Sequence, residues 1–123
     1  MRPNERDLSY LLDMVRCCDD IIEFTETVNY EQFQGDKMRR YATERQLETL
    51  GEAANHVSLA TQAQLRPIEW SRIVGLRSKL AHDYGEILAQ RVWLIATDSV
   101  RKLRAQLLSI EELRAALSDA REE

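Results

Sequence analysis

The chain has 123 residues, with 17 Lys and Arg against 21 Asp and Glu, a formal net charge of −4. That length suits one domain with one core, and a composition 44% apolar and 31% charged excludes a disordered or fibrous chain. No stretch approaches the roughly 18 consecutive apolar residues of a membrane span, and four Gly with two Pro are too few for a turn-rich β-sandwich.

From Asn4 onward, Leu8, Leu11, Leu12, Val15, Cys18, Ile22 and Thr25 recur at intervals of three and four, which predicts a helix with one apolar stripe. Asn4 is its N-cap, and Glu5 and Asp7 stand in the first turn, where the helix dipole favours negative charge. The adjacent Cys17 and Cys18 cannot staple distant segments, which points to a reducing, cytoplasmic setting. Residues 29–36, NYEQFQGD, read as the connection that ends this helix.

Asp36 caps a second predicted helix reaching about Ser58, with Met38, Tyr41, Leu47, Leu50, Ala54 and Val57 on its inner side. Gly51 inside it reads as a place where two helices approach closely. Pro67 opens a third helix carrying Ile68, Ile73, Leu76 and Leu80, and Gly85 stops it. A fourth runs from about Glu86 to Leu108 on an inner stripe of Val92, Ile95, Ala96, Ser99, Leu103 and Leu107. Ser109 to Glu112 spell an S-x-x-E capping box ahead of a short fifth helix, Ile110 to Ala120. Trp70 and Trp93 fall on helix stripes and read as core. Nothing alternates with period two, and no repeat or linker divides the chain. The expectation is therefore an all-α single domain over 1–123: a four-helix up-and-down bundle with a short C-terminal helix.

Charge is segregated along this chain. Residues 1–36 hold three basic and nine acidic side chains, residues 37–104 twelve and seven, and residues 105–123 two and five. The acidity is terminal and the middle is basic, as a surface for an anionic partner requires, although uneven charge also occurs in proteins that bind none.

The two histidines, His56 and His82, stand in no cluster with metal-ligand spacing, and no glycine-rich phosphate loop is present, so neither metal nor cofactor is expected. His56, near the end of the second helix, reads as a helix-end or surface histidine. His82 belongs to RSKLAHDY, residues 77–84, an Arg, four residues, a His, one residue and a Tyr. Positions five apart on a helix lie about 140° from one another, so Arg77 and His82 share a wall only if the helix ends near His82. A guanidinium, an imidazole and a phenol at one helix mouth suit phosphate chemistry, Arg holding the phosphate and His moving a proton. On spacing alone the signal is weak, and helix capping or an ion pair accounts for the same residues better than a catalytic site does.

The stretch IEWSRIVGLRSKLAHDY, followed shortly by VW, resembles the HepT-like branch of the HEPN superfamily, and RQLETLGEAA at residues 45–54 resembles that family's second-helix signature. The similarity spans about residues 5–108, and 109–123 form an extension beyond it. The resemblance implies a dimeric helical protein acting as a metal-independent endoribonuclease toxin of a toxin–antitoxin system, with RNA, tRNA above all, as substrate. It implies Arg77 and His82 as the catalytic pair, matching R-x4-6-H. Tyr84, matching R-x4-H-x-Y, becomes the tyrosine to which an MntA-type minimal nucleotidyltransferase antitoxin transfers AMP. The family's usual Asn after the Arg is replaced here by Ser78. A homodimer with facing motifs would supply two imidazoles, one as base and one as acid. Arg39, Arg40, Arg45, Arg72, Ser78 and Lys79 are candidate RNA contacts; the basic residues among them could equally be solvated or paired. Glu52, within GEAA, could be structural.

Overall fold

Asn4 accepts the Asp7 amide at 2.7 Å and opens α1, Glu5–Thr25, as its sequence position predicts. In this computed structural model, which describes residues 3–122, the chain continues through α2 (Tyr30–Gly35), α3 (Lys37–His56), α4 (Leu59–Gln64), α5 (Trp70–Val74) and α6 (Leu76–Ala81). It then runs through α7 (Gly85–Leu94), a π-helical turn (Ile95–Ser99), α8 (Val100–Leu108) and α9 (Glu111–Glu122). Among the described residues there is no strand, and no helix is long and apolar enough to cross a membrane.

The bundle is built on α1 against α3. Asp7, near the start of α1, meets Ser58 and Thr61 just beyond the end of α3, while Arg39, near the start of α3, donates to the Phe24 carbonyl near the end of α1 at 2.7 Å. The two helices are therefore antiparallel. Helices α5 and α6 lie along α3, and the long helix formed by α7, the π turn and α8 closes the bundle against α1 and α3. The C-terminal α9 lies on α1 and α8, where Leu113 is fully buried. Leu11, Met14, Ile21, Leu47, Val92 and Leu107 meet in one core. Helix α1 buries Met14, Cys17 and Ile21 beside the expected stripe, because α3, α8 and α9 cover a wider arc of it. Burial pushes the Cys17 thiol up to about 11, and the Cys18 thiol up to about 12.

Gly51 is buried, and a Cβ placed on it would lie 2.8 Å from the Ile73 carbonyl oxygen, so α3 and α5 do meet backbone to backbone there. Asp36 caps α3 as expected, accepting the Arg39 amide at 3.1 Å.

Five expectations need correction. The connection at 29–36 contains α2, because Asn29 and Gln32 form a reciprocal capping box and Phe33 gives the turn a side chain to bury. Met38 and Tyr41 do not face inward: they are 84% and 55% exposed. The observed stripe of Thr43, Leu47, Leu50, Ala54 and Val57, traced back by helical steps, arrives at Arg39 and Arg40 instead. The third helix begins at Trp70 rather than Pro67 and is interrupted at Gly75; residues 65–70 form tight turns in which Trp70 Nε1 donates to the Leu65 carbonyl.

Ser99 was placed on the inner stripe of the fourth helix, yet it is exposed and Val100 is buried in its stead. The π turn carries the cause. Its wider winding inserts an extra residue into the helix, so the buried series runs Val92, Ala96, Val100, Leu103, Leu107. Ser109 does not cap α9; its hydroxyl donates to the Gln106 carbonyl at 2.6 Å and closes α8.

Candidate active site

Helix α6 has only one and a half turns, and its end is fixed by backbone groups. The His82 amide reaches the Lys79 and Leu80 carbonyls, so His82 is the C-cap, with φ −92° and ψ −7°. Gly85 then takes φ +57°, a left-handed conformation that suits glycine, and α7 departs from it. Between the two, Asp83 forms an ion pair with Arg91 one helix on, which ties the exit turn down to α7. Neither residue carried a signal in the sequence, because the pair is eight positions apart and spans a loop.

On this scaffold Arg77, His82 and Tyr84 are all exposed, Tyr84 to 81%. None of the three makes a side-chain hydrogen bond or ion pair among the described residues. At 100° per residue, the exposed arc of the helix presents Arg77, Ala81, Ser78, His82 and Lys79 in that angular order. His82 thus stands about 140° from Arg77 and about 60° from Lys79. Leu76 and Leu80 occupy the remaining side and are buried. The motif is an open strip of unpartnered side chains rather than the wall of a pocket.

The other candidate RNA contacts divide into two groups. On α3, Arg39 is held by Asp36 and the Phe24 carbonyl, Arg40 is half-buried with its Nε lacking a partner, and Arg45 faces Glu48 at 3.7 Å. Ser78 is exposed on α6 beside the motif. Arg72 and Lys79 line a cleft of about 200 Å³ between α5, α6 and α8, which none of Arg39, Arg40 and Arg45 reaches. Arg72 is paired with Glu69 at 2.7 Å, whereas Lys79 has no such pair. That hydrogen bond and charge draw the exposed Glu69 carboxyl below its ordinary range.

His56 is the last residue of α3; it stacks on Tyr10 at 4.9 Å and faces Glu52 at 3.3 Å. Both line a shallow recess between α1 and α3 together with Asp13 and Asp20. Among the described residues no group of three or more His, Cys, Asp or Glu is arranged to hold a metal ion.

This all-α bundle, with a basic middle and an exposed R-x4-H-x-Y strip, has the form of a HEPN-type helical protein. The profile of the ribonuclease HepT-like family matches residues 14–110, and the chain belongs to that family of HEPN-type ribonucleases. It is 33% identical over 105 residues to a candidate RNase of Methanocaldococcus jannaschii, covering 85% of this chain and 96% of that one. A second candidate RNase of the same organism is 31% identical over 107 residues, 86% of this chain and 88% of its own. The Probable ribonuclease HepT of Thermococcus cleftensis is 28% identical over 106 residues, 86% of this chain and 94% of its own. No solved structure matches the chain.

Proposed function

We propose that this protein is a metal-independent endoribonuclease toxin, acting as a homodimer, with Arg77 and His82 as its catalytic pair. The observation that carries this reading is the short exposed helix α6, where Arg77 in the first turn and His82 at the C-cap both lack a hydrogen bond or ion pair among the described residues. Arg39 and His56, by contrast, each have a partner, the Phe24 carbonyl and Glu52. In the reaction an imidazole withdraws the proton of the RNA 2′-OH, and the 2′-oxygen attacks the adjacent phosphorus. The bond to the 5′-oxygen breaks as a second imidazole returns a proton to it, leaving a 2′,3′-cyclic phosphate and a 5′-OH. Arg77 holds the charge that develops on the phosphorane.

Each protomer brings one free imidazole at this site, so the base and the acid are His82 of two copies. Two features support a dimer. The protomer exposes 7799 Å², against about 6,800 Å² for a compact monomer of this mass. Ile87 and Leu94, seven residues apart on one face of α7, are also 63% and 65% exposed. Replacing Leu94 by Asp is expected to yield a monomer without activity; a fully active monomer would refute the shared site.

Tyr84 is the control point. Its phenolic oxygen, open to solvent, would attack the α-phosphorus of ATP on a minimal nucleotidyltransferase antitoxin, releasing pyrophosphate and losing its proton. The adduct places negative charge where RNA phosphates must come. We take tRNA as the substrate and the cytoplasm as the setting, on the family resemblance and the free, adjacent cysteines.

Total RNA incubated with the protein, beside Arg77→Ala and His82→Ala variants, tests the catalytic reading. Cleavage confined to the unmodified sequence supports it, and equal behaviour of all three would leave a non-catalytic binding module. Intact mass of the protein co-expressed with its antitoxin should show added AMP, absent from Tyr84→Phe. The same mass shift in both would move the modification off Tyr84.

A further inference from the structure

The cleft beside α6 has a construction of its own. Its floor is aliphatic, from Leu50, Ile73, Leu76, Val100 and Leu103. Its volume of about 200 Å³ is below the roughly 300–1,000 Å³ typical of pockets for drug-sized ligands, so it suits one flat ring system rather than a whole nucleotide. The π turn shapes the rim. By putting Val100 into the core where Ser99 was expected, it leaves Asp98 and Ser99 exposed at the edge of the cleft. Across from them, Glu69 occupies Arg72, while Lys79 and Lys102 make no hydrogen bond or ion pair among the described residues.

We propose that this cleft is a subsite for one guanine base of the RNA strand, with Asp98 reading the base and Lys79 and Lys102 holding the flanking phosphates. The proposal rests on the ribonuclease reading above and gives it a base preference. Asp98 has no partner among the described residues, and an ionised carboxylate offers two acceptors and no donor. Guanine carries two adjacent donors, N1–H and the 2-amino group, on one edge, and a carboxylate can accept both. Adenine and cytosine set their amino group beside an acceptor, and uracil sets one N–H between two carbonyls, so each meets the second oxygen with a like partner. Position completes the argument. Lys79 lines the cleft and neighbours His82 on the helix surface, so a base seated there keeps its backbone beside the motif.

The test uses full-length protein carrying His82→Ala, titrated with short oligouridylates that contain one guanosine, one inosine or one adenosine. Guanosine is expected to bind at least about fivefold more tightly than adenosine, with inosine, which keeps N1–H but lacks the 2-amino group, between them. Adding Asp98→Ala should bring the three to one affinity, and adding Lys102→Ala should weaken all three alike. Equal affinities before Asp98 is changed would overturn the proposal, as would a guanosine preference that survives Asp98→Ala. GMP alone binding as tightly as the guanosine oligomer would also overturn it, by assigning the cleft to a free nucleotide. Cleavage of total RNA by protein with His82 intact is read in parallel. Cleavage at sites with no guanosine preference removes the subsite and leaves the ribonuclease; a guanosine preference in binding without cleavage removes the ribonuclease and leaves the subsite.

Discussion

The recess between α1 and α3 and the cleft between α6 and α8 are both lined by charge, but they differ in what their charges are doing. In the recess Asp13 faces Arg16 at 3.5 Å and Glu52 faces His56 at 3.3 Å, so two of its three carboxylates have a nitrogen partner and only Asp20 makes no hydrogen bond or ion pair among the described residues. Around the cleft one pair, Glu69 with Arg72, is closed; Lys79 and Asp98 make no hydrogen bond or ion pair among the described residues, nor does Lys102, whose charge acts on Glu69 only through space. The motif strip continues that pattern. Composition therefore says less about where an anion binds than pairing does, and a protein with net charge −4 keeps an open basic edge.

The sharpest break of this contrast is catalytic. His82→Ala or Arg77→Ala should lower RNA cleavage by about 10²–10⁴-fold while the thermal midpoint stays where it is, because both side chains are exposed and neither makes a hydrogen bond or ion pair among the described residues. Loss of stability comparable to the loss of activity would reassign these residues to structure.

Asp7 predicts the opposite split. Its buried carboxylate accepts from the Ser58 amide at 3.0 Å, the Ser58 hydroxyl at 2.6 Å and the Thr61 hydroxyl at 2.6 Å. Burial alone would raise its pKa, but these donors outweigh burial and hold it below the ordinary 3.8. Asp7→Ala should cost about 2–3 kcal/mol, read as a thermal midpoint lower by roughly 10 °C, with cleavage per folded molecule unchanged. Since the folded value is depressed, the stabilisation is complete above pH 3.8 and fades as pH falls below it. The stability gap between the protein and Asp7→Asn should therefore be flat near neutrality and narrow in acid, as urea titrations would show.

Gly51→Ala is expected to be smaller. Alanine favours a helix by about 1 kcal/mol, but its methyl would strike the Ile73 carbonyl at 2.8 Å and push α5 off α3. A net loss of about 1 kcal/mol in denaturant unfolding is the expected result, and a gain would show that α5 yields freely. The smallest effect separates the two surfaces directly. Lys79→Ala should flatten the salt dependence of RNA binding by a slope of about 0.7, and Asp20→Ala in the recess should leave it unaltered.

What could be foreseen from residue order follows the range of the interactions involved. Caps at Asn4 and Asp36 and the end of α6 near His82 depend on neighbours within a turn or two, and each is where the spacing puts it; the close approach at Gly51 shows in the glycine itself, whereas its partner Ile73 does not. The π turn, the break at Gly75 and the outward Met38 and Tyr41 depend on which helix lies alongside, information that periodicity lacks. The same division runs through the site. RSKLAHDY is contiguous and visible as a motif, whereas the Asp83–Arg91 tie and the cleft shared by α5, α6 and α8 exist only once the helices have packed.

Of the two cysteines, Cys18 gives the bundle a built-in clock, since Cys17 borders the recess between α1 and α3. Their thiols, pushed up to about 11 and about 12, are thiolate at pH 8 to an extent on the order of one part in a thousand and one in ten thousand. Both are buried on α1, the helix that α3, α8 and α9 all touch. An alkylating reagent can reach Cys18 only when these helices part, so its labelling rate times the opening of the whole bundle. Under the same reagent, RNA bound at the exposed motif strip should slow that rate, because a ligand held only by the closed bundle makes its opening rarer.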